Sequence, residues 1–215
     1  MKPFTPAELE RVSAAVVAAE RESSGEIVPY IVQRSDDYHH AAWRALATGV
    51  VLILLLSIGL QLFSEIWLPL TPLEVAFAAL GLGAAGFLLV LTVPWCTRLF
   101  AGRELMAHRV RLRAQEAFLA EEVFSTRERT GILLFVSLLE RQVVVLGDSG
   151  INAKVSQREW DGVVRGLVRG MKQGRPIDGL VDAIGRCGDL LAYYGVTRRP
   201  DDADELADNL RVSKE

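Results

Sequence analysis

Two long apolar stretches in the first half of the chain constrain its fold more than any other feature. They cover residues 45–63 and 75–95, and neither contains an Asp, Glu, Lys or Arg. Each is about as long as the roughly 20 helical residues that cross a hydrocarbon core, and neither has the repeating polar face of a soluble amphipathic helix. The sequence therefore predicts a transmembrane helical hairpin over residues 43–97, with the membrane as a partner of this chain.

Basic residues are distributed unequally around these two stretches. Arg34 and Arg44 precede the first stretch, and arginines follow the second over residues 98–113, whereas the connecting residues 64–74 contain no Lys or Arg. Because the cytoplasmic ends of membrane spans are enriched in Lys and Arg, this bias predicts a multi-pass protein of the inner membrane. Both termini are expected in the cytoplasm, and the loop is expected on the other side.

The composition of the remaining chain bounds its possible functions. The chain has 215 residues, and roughly 160 remain outside the hairpin, which suffices for one compact aqueous domain. The formal net charge of −3 argues against nucleic acid as a partner. The two cysteines, Cys96 and Cys187, lie far apart in the sequence, so neither a disulfide framework nor a zinc site is indicated.

Outside the hairpin, the hydrophobic periodicity alternates between helical and extended patterns. Helices are predicted after Thr5, over 103–124, after Ser156 and around 177–191, and strands over 27–32, 132–137 and 143–146. This order predicts an α/β fold with a small mixed sheet packed by helices, in which the membrane hairpin replaces a crossover connection. The domain would consist of residues 1–42 and 98–196, and the acidic polar tail, residues 197–215, is expected to be solvated and mobile.

Four blocks of the aqueous part resemble the TPM domain family, named for a thylakoid lumen protein, a photosystem II accessory protein and a modulator of levamisole receptors. The blocks are residues 24–28 (SGEIV), 130–137 (TGILLFVS), 140–151 (ERQVVVLGDSGI) and 178–180 (DGL). The resemblance covers nearly all of the chain outside the membrane. It implies a TPM-like α/β fold with one of two roles: an accessory subunit of a membrane complex, or a weak divalent-metal-dependent phosphatase.

Under the phosphatase interpretation, Asp148, Glu26 and Asp178 are the candidate ligands of a divalent cation. Asp148 follows a strand and Glu26 precedes one, and carboxylates are ligands of hard cations; a simple turn at residues 148–150 is the structural alternative. Family members with a metal or phosphatase role carry an acidic residue and Asn where this chain has Arg129 and Thr130. The accessory interpretation requires no cofactor, and it is the one that we favour.

Small residues in the second apolar stretch permit close helix packing. Ala79, Gly83 and Gly86 lie on one side of it at helical spacing, and small residues let membrane helices approach closely. They either mate the two spans of one chain or form a homo-oligomer contact.

A cationic segment follows the second span. It contains Arg103, Arg109, Arg111 and Arg113, which either are ordinary cytoplasmic flanking charges or bind anionic lipid headgroups. The sequence thus predicts a membrane-anchored accessory protein whose cytoplasmic domain binds another membrane protein. The phosphatase and a lipid-binding or oligomeric membrane module remain as alternatives.

Overall fold

The computed structural model describes residues 4–21, 23–63, 71–196, 198 and 205–213. The chain divides into two compact units, residues 1–35 with 107–215, here called the α/β unit, and residues 36–106, here called the hairpin unit. The helices are α1 Pro6–Glu20, α2 His39–Phe63, α3 Pro72–Thr92, α4 Pro94–Ala101, α5 Arg103–Ala120, α6 Ser149–Asn152, α7 Gln157–Lys172 and α8 Pro176–Tyr193. The strands are β1 Ile27–Val32, β2 Ile132–Ser137, β3 Gln142–Gly147 and β4 Arg211–Ser213.

The four described strands form one mixed sheet in the order β3-β2-β1-β4. β1 pairs in parallel with β2 and with β4, and β2 pairs antiparallel with β3. This confirms the predicted α/β fold with a small mixed sheet packed by helices. The two long apolar helices, α2 and α3, are inserted in the chain between the adjacent parallel strands β1 and β2.

Each face of the sheet carries its own hydrophobic cluster, because successive side chains of a strand point to opposite faces. On the first face, Ile27 and Leu134 pack in one cluster with side chains of α1, α7 and α8. On the second face, Val28 and Phe135 pack with Val110 and other residues of α5. The central strand β2 is buried along its whole length, as its uninterrupted apolar sequence predicts.

Two helix starts confirm the local sequence signals. Thr5 with Glu8 and Ser156 with Glu159 form capping boxes at the starts of α1 and α7, the helices predicted after Thr5 and after Ser156, and each box satisfies otherwise unpaired backbone N–H groups. The helix predicted over residues 103–124 is shorter in the structure, where α5 ends at Ala120.

Pro29 lies within β1, and proline is usually confined to strand edges or bulges because it has no N–H group. The N–H groups of Ile132 and Leu138 donate to the carbonyl groups of Glu26 and Val32 at 2.8 and 3.1 Å, so the even-numbered residues of β1 bond to β2. The nitrogen of Pro29 therefore faces the other side, where β4 pairs only with residues Tyr30 to Val32. The missing donor costs no ladder hydrogen bond there.

The prediction of a solvated, mobile tail is wrong for residues 205–213. Arg211–Ser213 forms β4 on the outer edge of β1, and Leu210 is only 8% exposed within the first cluster. A three-residue strand is too short to show a period of two, so the tertiary contacts of Leu210 determine its conformation. The earlier part of the predicted tail, 197 and 199–204, lies outside the described residues.

Both helices of the hairpin unit are long and apolar enough to cross a membrane. They extend beyond the predicted start of each span, and α3 ends at Thr92, where Val93 is extended and Pro94 begins α4. Thr71 and Glu74 form a capping box at the start of α3 that sequence inspection missed. Of the predicted loop over 64–74, residues 64–70 lie outside the described residues.

Candidate functional site

Asp148, the first predicted metal ligand, contacts a helix end and an arginine. Its side chain is 7% exposed, and its Oδ1 accepts the N–H of Ser149 at 2.6 Å as the N-cap of α6. Its Oδ2 lies 2.8 Å from Nε of Arg129. Arg129 is the residue that stands where the family resemblance would place a carboxylate. The positive charge that a cation would supply beside Asp148 is therefore supplied by this guanidinium group.

Glu26, the second candidate ligand, lies at the start of β1 and is 6% exposed. The pairing of Ile27 with Ile132 and of Ile132 with Gly147 places Glu26, Gly131 and Asp148 level across three strands. A Cβ atom on Gly131 would fall 1.9 Å from the carbonyl oxygen of Val123. The main chain of Val123 thus occupies the space over the sheet at the position between the two carboxylates.

Asp178, the third candidate, lies in the first turn of α8 and forms ion pairs on the surface. Its Oδ1 is 2.7 Å from Nη2 of Arg11, and its Oδ2 is 4.0 Å from Nη1 of Arg175. Among the residues that the structure describes, no three His, Cys, Asp or Glu side chains are grouped so that they could hold a metal ion. Asp148, Glu26 and Asp178 accordingly do not form a common ligand set.

A carboxylate cluster that sequence inspection missed surrounds the start of β1. Glu20 accepts the N–H of Ile27 at 2.6 Å, and its carboxyl group lies close to that of Asp208. Burial raises the pKa of Glu20 from 4.5 to about 9, against the lowering effect of the Ile27 hydrogen bond, and the nearby carboxylates of Glu26 and Asp208 add to the rise. Glu20 therefore keeps its proton at neutral pH and can donate to Asp208.

The C-terminal segment, residues 205–213, covers this cluster and the outer edge of β1. The backbone N–H of Glu205 donates to Oε1 of Glu26 at 3.2 Å, and its own carboxylate accepts the N–H of Arg127 at 3.1 Å. Nε of Arg211 lies 3.0 Å from Oε2 of Glu121. Leu206 and Leu210 are apolar residues in a mostly polar tail, and they are the sequence signal from which this anchoring could have been inferred.

The four arginines predicted to contact lipid headgroups all belong to α5. Arg103, Arg109 and Arg111 are exposed, and Nη1 of Arg113 lies 3.3 Å from Oε2 of Glu116. This exposure is compatible with ordinary flanking charges and with headgroup binding, so the lipid role stays a prediction.

The small residues of the second apolar stretch mate the two long helices of the hairpin unit. Ala79, Gly83 and Val90 are the buried residues of α3. A Cβ atom on Gly83 would lie 3.0 Å from the carbonyl oxygen of Leu46, and one on Gly86 would lie 3.2 Å from that of Ala45. Of the two interpretations of the sequence, this geometry matches contact between α2 and α3 of one chain, with Gly83 and Gly86 facing α2 and Ala79 buried on α3.

A groove of about 440 Å³ lies between α7 and α8 on the surface of the α/β unit. Its lining combines the apolar side chains of Val163, Leu190 and Tyr193 with the charged side chains of Arg186 and Asp189. Tyr193 is 80% exposed. Tyrosine and arginine are both enriched at protein interfaces, and this groove presents one of each, Tyr193 and Arg186.

Comparison with known proteins supports the fold and leaves the function open. No family model matches the sequence, and no curated protein matches it. Among solved structures, the chain is similar to the NMR structure of the BA42 protein from the psychrophilic bacterium Bizionia argentinensis, with a TM-score of 0.59 and 22% sequence identity. The match covers 99% of this chain and 97% of that one. At this identity the likeness shows a shared fold and nothing further.

Proposed function

We propose that this chain is a membrane-anchored accessory protein. In this proposal α2 and α3 hold the chain in a bilayer, and the α/β unit is a TPM-like domain that binds another membrane protein. Its role would lie in the assembly, maintenance or regulation of a membrane complex. The observation that carries the proposal is the exposure of large apolar side chains along both long helices.

These side chains are arranged for an apolar solvent. Leu55 is 60% exposed, Leu62 is 71% exposed and Phe77 is 68% exposed. Contiguous apolar surface of this kind is rare on a protein surrounded by water, whereas a helix that is apolar on all sides is typical of a membrane span. The proposal is therefore that lipid covers these faces.

Two tryptophans support the same arrangement. Trp43 and Trp95 are 64% and 60% exposed and lie near the start of α2 and just after the end of α3, respectively. Trp and Tyr are enriched at membrane–water interfaces, and these two residues lie at the same side of the hairpin in the sequence. Because arginines flank that side, we propose that both termini are cytoplasmic.

Membrane insertion is tested by extraction of native membranes. The chain should stay in the pellet after alkaline carbonate washing and should enter solution only with detergent. A reporter enzyme that is active only in the cytoplasm should be active when fused to either terminus, and a reporter that is active only outside the cytoplasm should be inactive there. Release by carbonate alone would remove the anchoring part of the proposal, and a periplasmic terminus would reverse the orientation.

Partner binding is tested by affinity capture in mild detergent with the full chain. We expect the same membrane protein to be recovered with the wild type and with Leu119→Ala, and recovery to fall with Tyr193→Ala. Leu119 is a matched control because it is exposed to 63% on α5 of the same unit. Failure to recover any membrane protein with the wild type would contradict the accessory role, while equal recovery with Tyr193→Ala would exclude the α7–α8 groove.

A further inference from the structure

A small polar pocket of about 120 Å³ lies where α7 and α8 approach each other in the α/β unit. Three arginines line it: Arg169 on α7, Arg175 just before α8 and Arg186 on α8. A Cβ atom on Gly170 would lie only 2.7 Å from the Cα atom of Gly179. Because glycine lets the two helices come this close, long side chains of both helices reach the same space.

The three arginines differ in how they are held. Arg175 is fixed by its neighbour, since its Nη2 donates to Oε1 of Gln173 at 2.6 Å. Among the residues that the structure describes, neither Arg169 nor Arg186 forms an ion pair or a side-chain hydrogen bond. The guanidinium of Arg186 lies against the main chain of α7, where a Cβ atom on Gly166 would be 3.6 Å from its Cζ. The N–H donors of these two arginines are therefore available to a ligand.

Two carboxylates also line the pocket, and they do not cancel its positive charge. Oδ1 of Asp178 is 2.7 Å from Nη2 of Arg11, which belongs to α1 and lies outside the lining. Asp178 is thus balanced by a charge outside the pocket, and Asp182 alone opposes the three arginines. A concave site with an excess of positive charge attracts anions.

The number of arginines and the size of the pocket indicate the class of anion. One guanidinium group satisfies a carboxylate through two parallel hydrogen bonds, so three arginines exceed what a carboxylate needs. A phosphate group has three acceptor oxygens and matches the planar donor fork of arginine. The volume of about 120 Å³ equals that of about four water molecules at about 30 Å³ each, which is room for one phosphate group.

We propose that this pocket between α7 and α8 binds a phosphate group, with Arg169, Arg175 and Arg186 as its hydrogen-bond donors. The group belongs either to a soluble phosphate compound or to a phospholipid headgroup, and both present the same oxygens to the arginines. The lining includes neither Asp148 nor Glu26, so the site is separate from those two predicted metal ligands. It requires neither the membrane anchor nor a protein partner.

The test measures binding of radiolabelled inorganic phosphate by equilibrium dialysis of the full chain at constant ionic strength, in a maltoside detergent that contains no phosphate. We expect a dissociation constant of about 1 mM or below for the wild type, which corresponds to a few charged hydrogen bonds. Arg169→Gln and Arg186→Gln should each weaken binding about tenfold. Arg165→Gln should bind like the wild type, because Arg165 is an exposed arginine of the same helix outside the lining.

A variant at Asp182 gives a result that a merely structural role would not produce. Asp182→Asn removes the negative charge that opposes the three arginines, so it should tighten phosphate binding about threefold. A wild type that binds no phosphate would overturn the proposal, and so would weaker binding after Asp182→Asn. Equal losses of affinity in Arg165→Gln and Arg169→Gln would also overturn it, because binding would then reflect net charge alone.

The two sources of the phosphate group are distinguished by competition with the bound label. Glycerol phosphate represents a soluble monoester, and glycerophosphoglycerol is the water-soluble headgroup of phosphatidylglycerol. Displacement by either compound supports the proposal, and the stronger competitor identifies the source.

Discussion

The two units of this chain use similar apolar residues in opposite ways. In the α/β unit, Leu133 and Leu134 are fully buried in the sheet. In the hairpin unit, Leu55 and Leu91 are 60% and 57% exposed, whereas the buried residues of α3 include Ala79 and Gly83. Large side chains thus point inward in one unit and outward in the other.

In the proposed membrane-anchored state, the two units lie in different solvents, and the solvent, more than the amino acid type, determines where a large apolar side chain lies. In water the hydrophobic effect drives leucine into the interior. Between helices in lipid that driving force is absent, and close contact of small residues takes its place.

The largest effect is expected when the same truncation is made in both units. Leu134→Ala should lower the free energy of unfolding by about 2–5 kcal/mol, because it leaves a cavity in the first cluster. Leu55→Ala should change the stability of the α/β unit little, since its side chain lies in the other unit and is 60% exposed. Denaturant unfolding in detergent measures both. Equal losses would mean that the two leucines share one kind of environment.

The next effect concerns a charge on two equally exposed leucines. Leu55→Lys should oppose membrane insertion by about 3 kcal/mol, which is typical for Lys at the centre of a span. Leu119→Lys, where the leucine is 63% exposed on α5, should be nearly neutral. Insertion is measured as the membrane-integrated fraction after in vitro translation. Equal insertion of the two variants would contradict a lipid environment around α2.

A smaller effect is expected at the helix contact of the hairpin unit. Gly83→Ala places a methyl group 3.0 Å from the carbonyl oxygen of Leu46 and should cost about 1–3 kcal/mol through overpacking. Gly81→Ala is the matched control, because nothing lies within 4 Å of its Cβ position. Thermal unfolding in detergent should therefore separate the variants. A pair of variants with equal stability would show that α2 and α3 are not packed through Gly83.

The effect that is smallest over a single step of its variable, one pH unit, is a pH dependence specific to the α/β unit. Because the pKa of Glu20 is raised from 4.5 to about 9, the folded chain holds a proton that the unfolded chain releases between these values. The stabilisation is complete below pH 4.5 and is lost as the pH rises to about 9, by at most about 1.4 kcal/mol per unit.

Glu20→Gln should flatten this pH dependence, because an amide does not titrate. The amide also keeps an acceptor for the N–H of Ile27 and a donor directed to Asp208. Glu10→Gln, an exposed position on the same helix, should leave the slope unchanged. Unfolding free energies across pH 5–9 measure the slopes. A wild-type stability that rises over this range would contradict a protonated Glu20.

The sequence predicts those features that repeat along the chain. Trp160, Val163 and Leu167 recur at helical spacing, and all three are buried. The two candidate spans are recognisable because their apolar stretches are long. The edge strand β4 is different: Val212 is 46% exposed, and three residues display no periodicity. The proximity of Glu20 to Asp208 likewise depends on tertiary contacts between residues almost 190 positions apart, which no local pattern encodes.

The placement of the hairpin between two neighbouring parallel strands has a consequence for biosynthesis. Ile27 pairs with Ile132, so the first strand leaves the ribosome long before its neighbour. At about 5–20 residues per second, this wait lasts several seconds, during which both apolar helices are also synthesised. In the proposed membrane-anchored state, both helices leave the ribosome before β2 does, so the order of synthesis lets membrane delivery precede closure of the core.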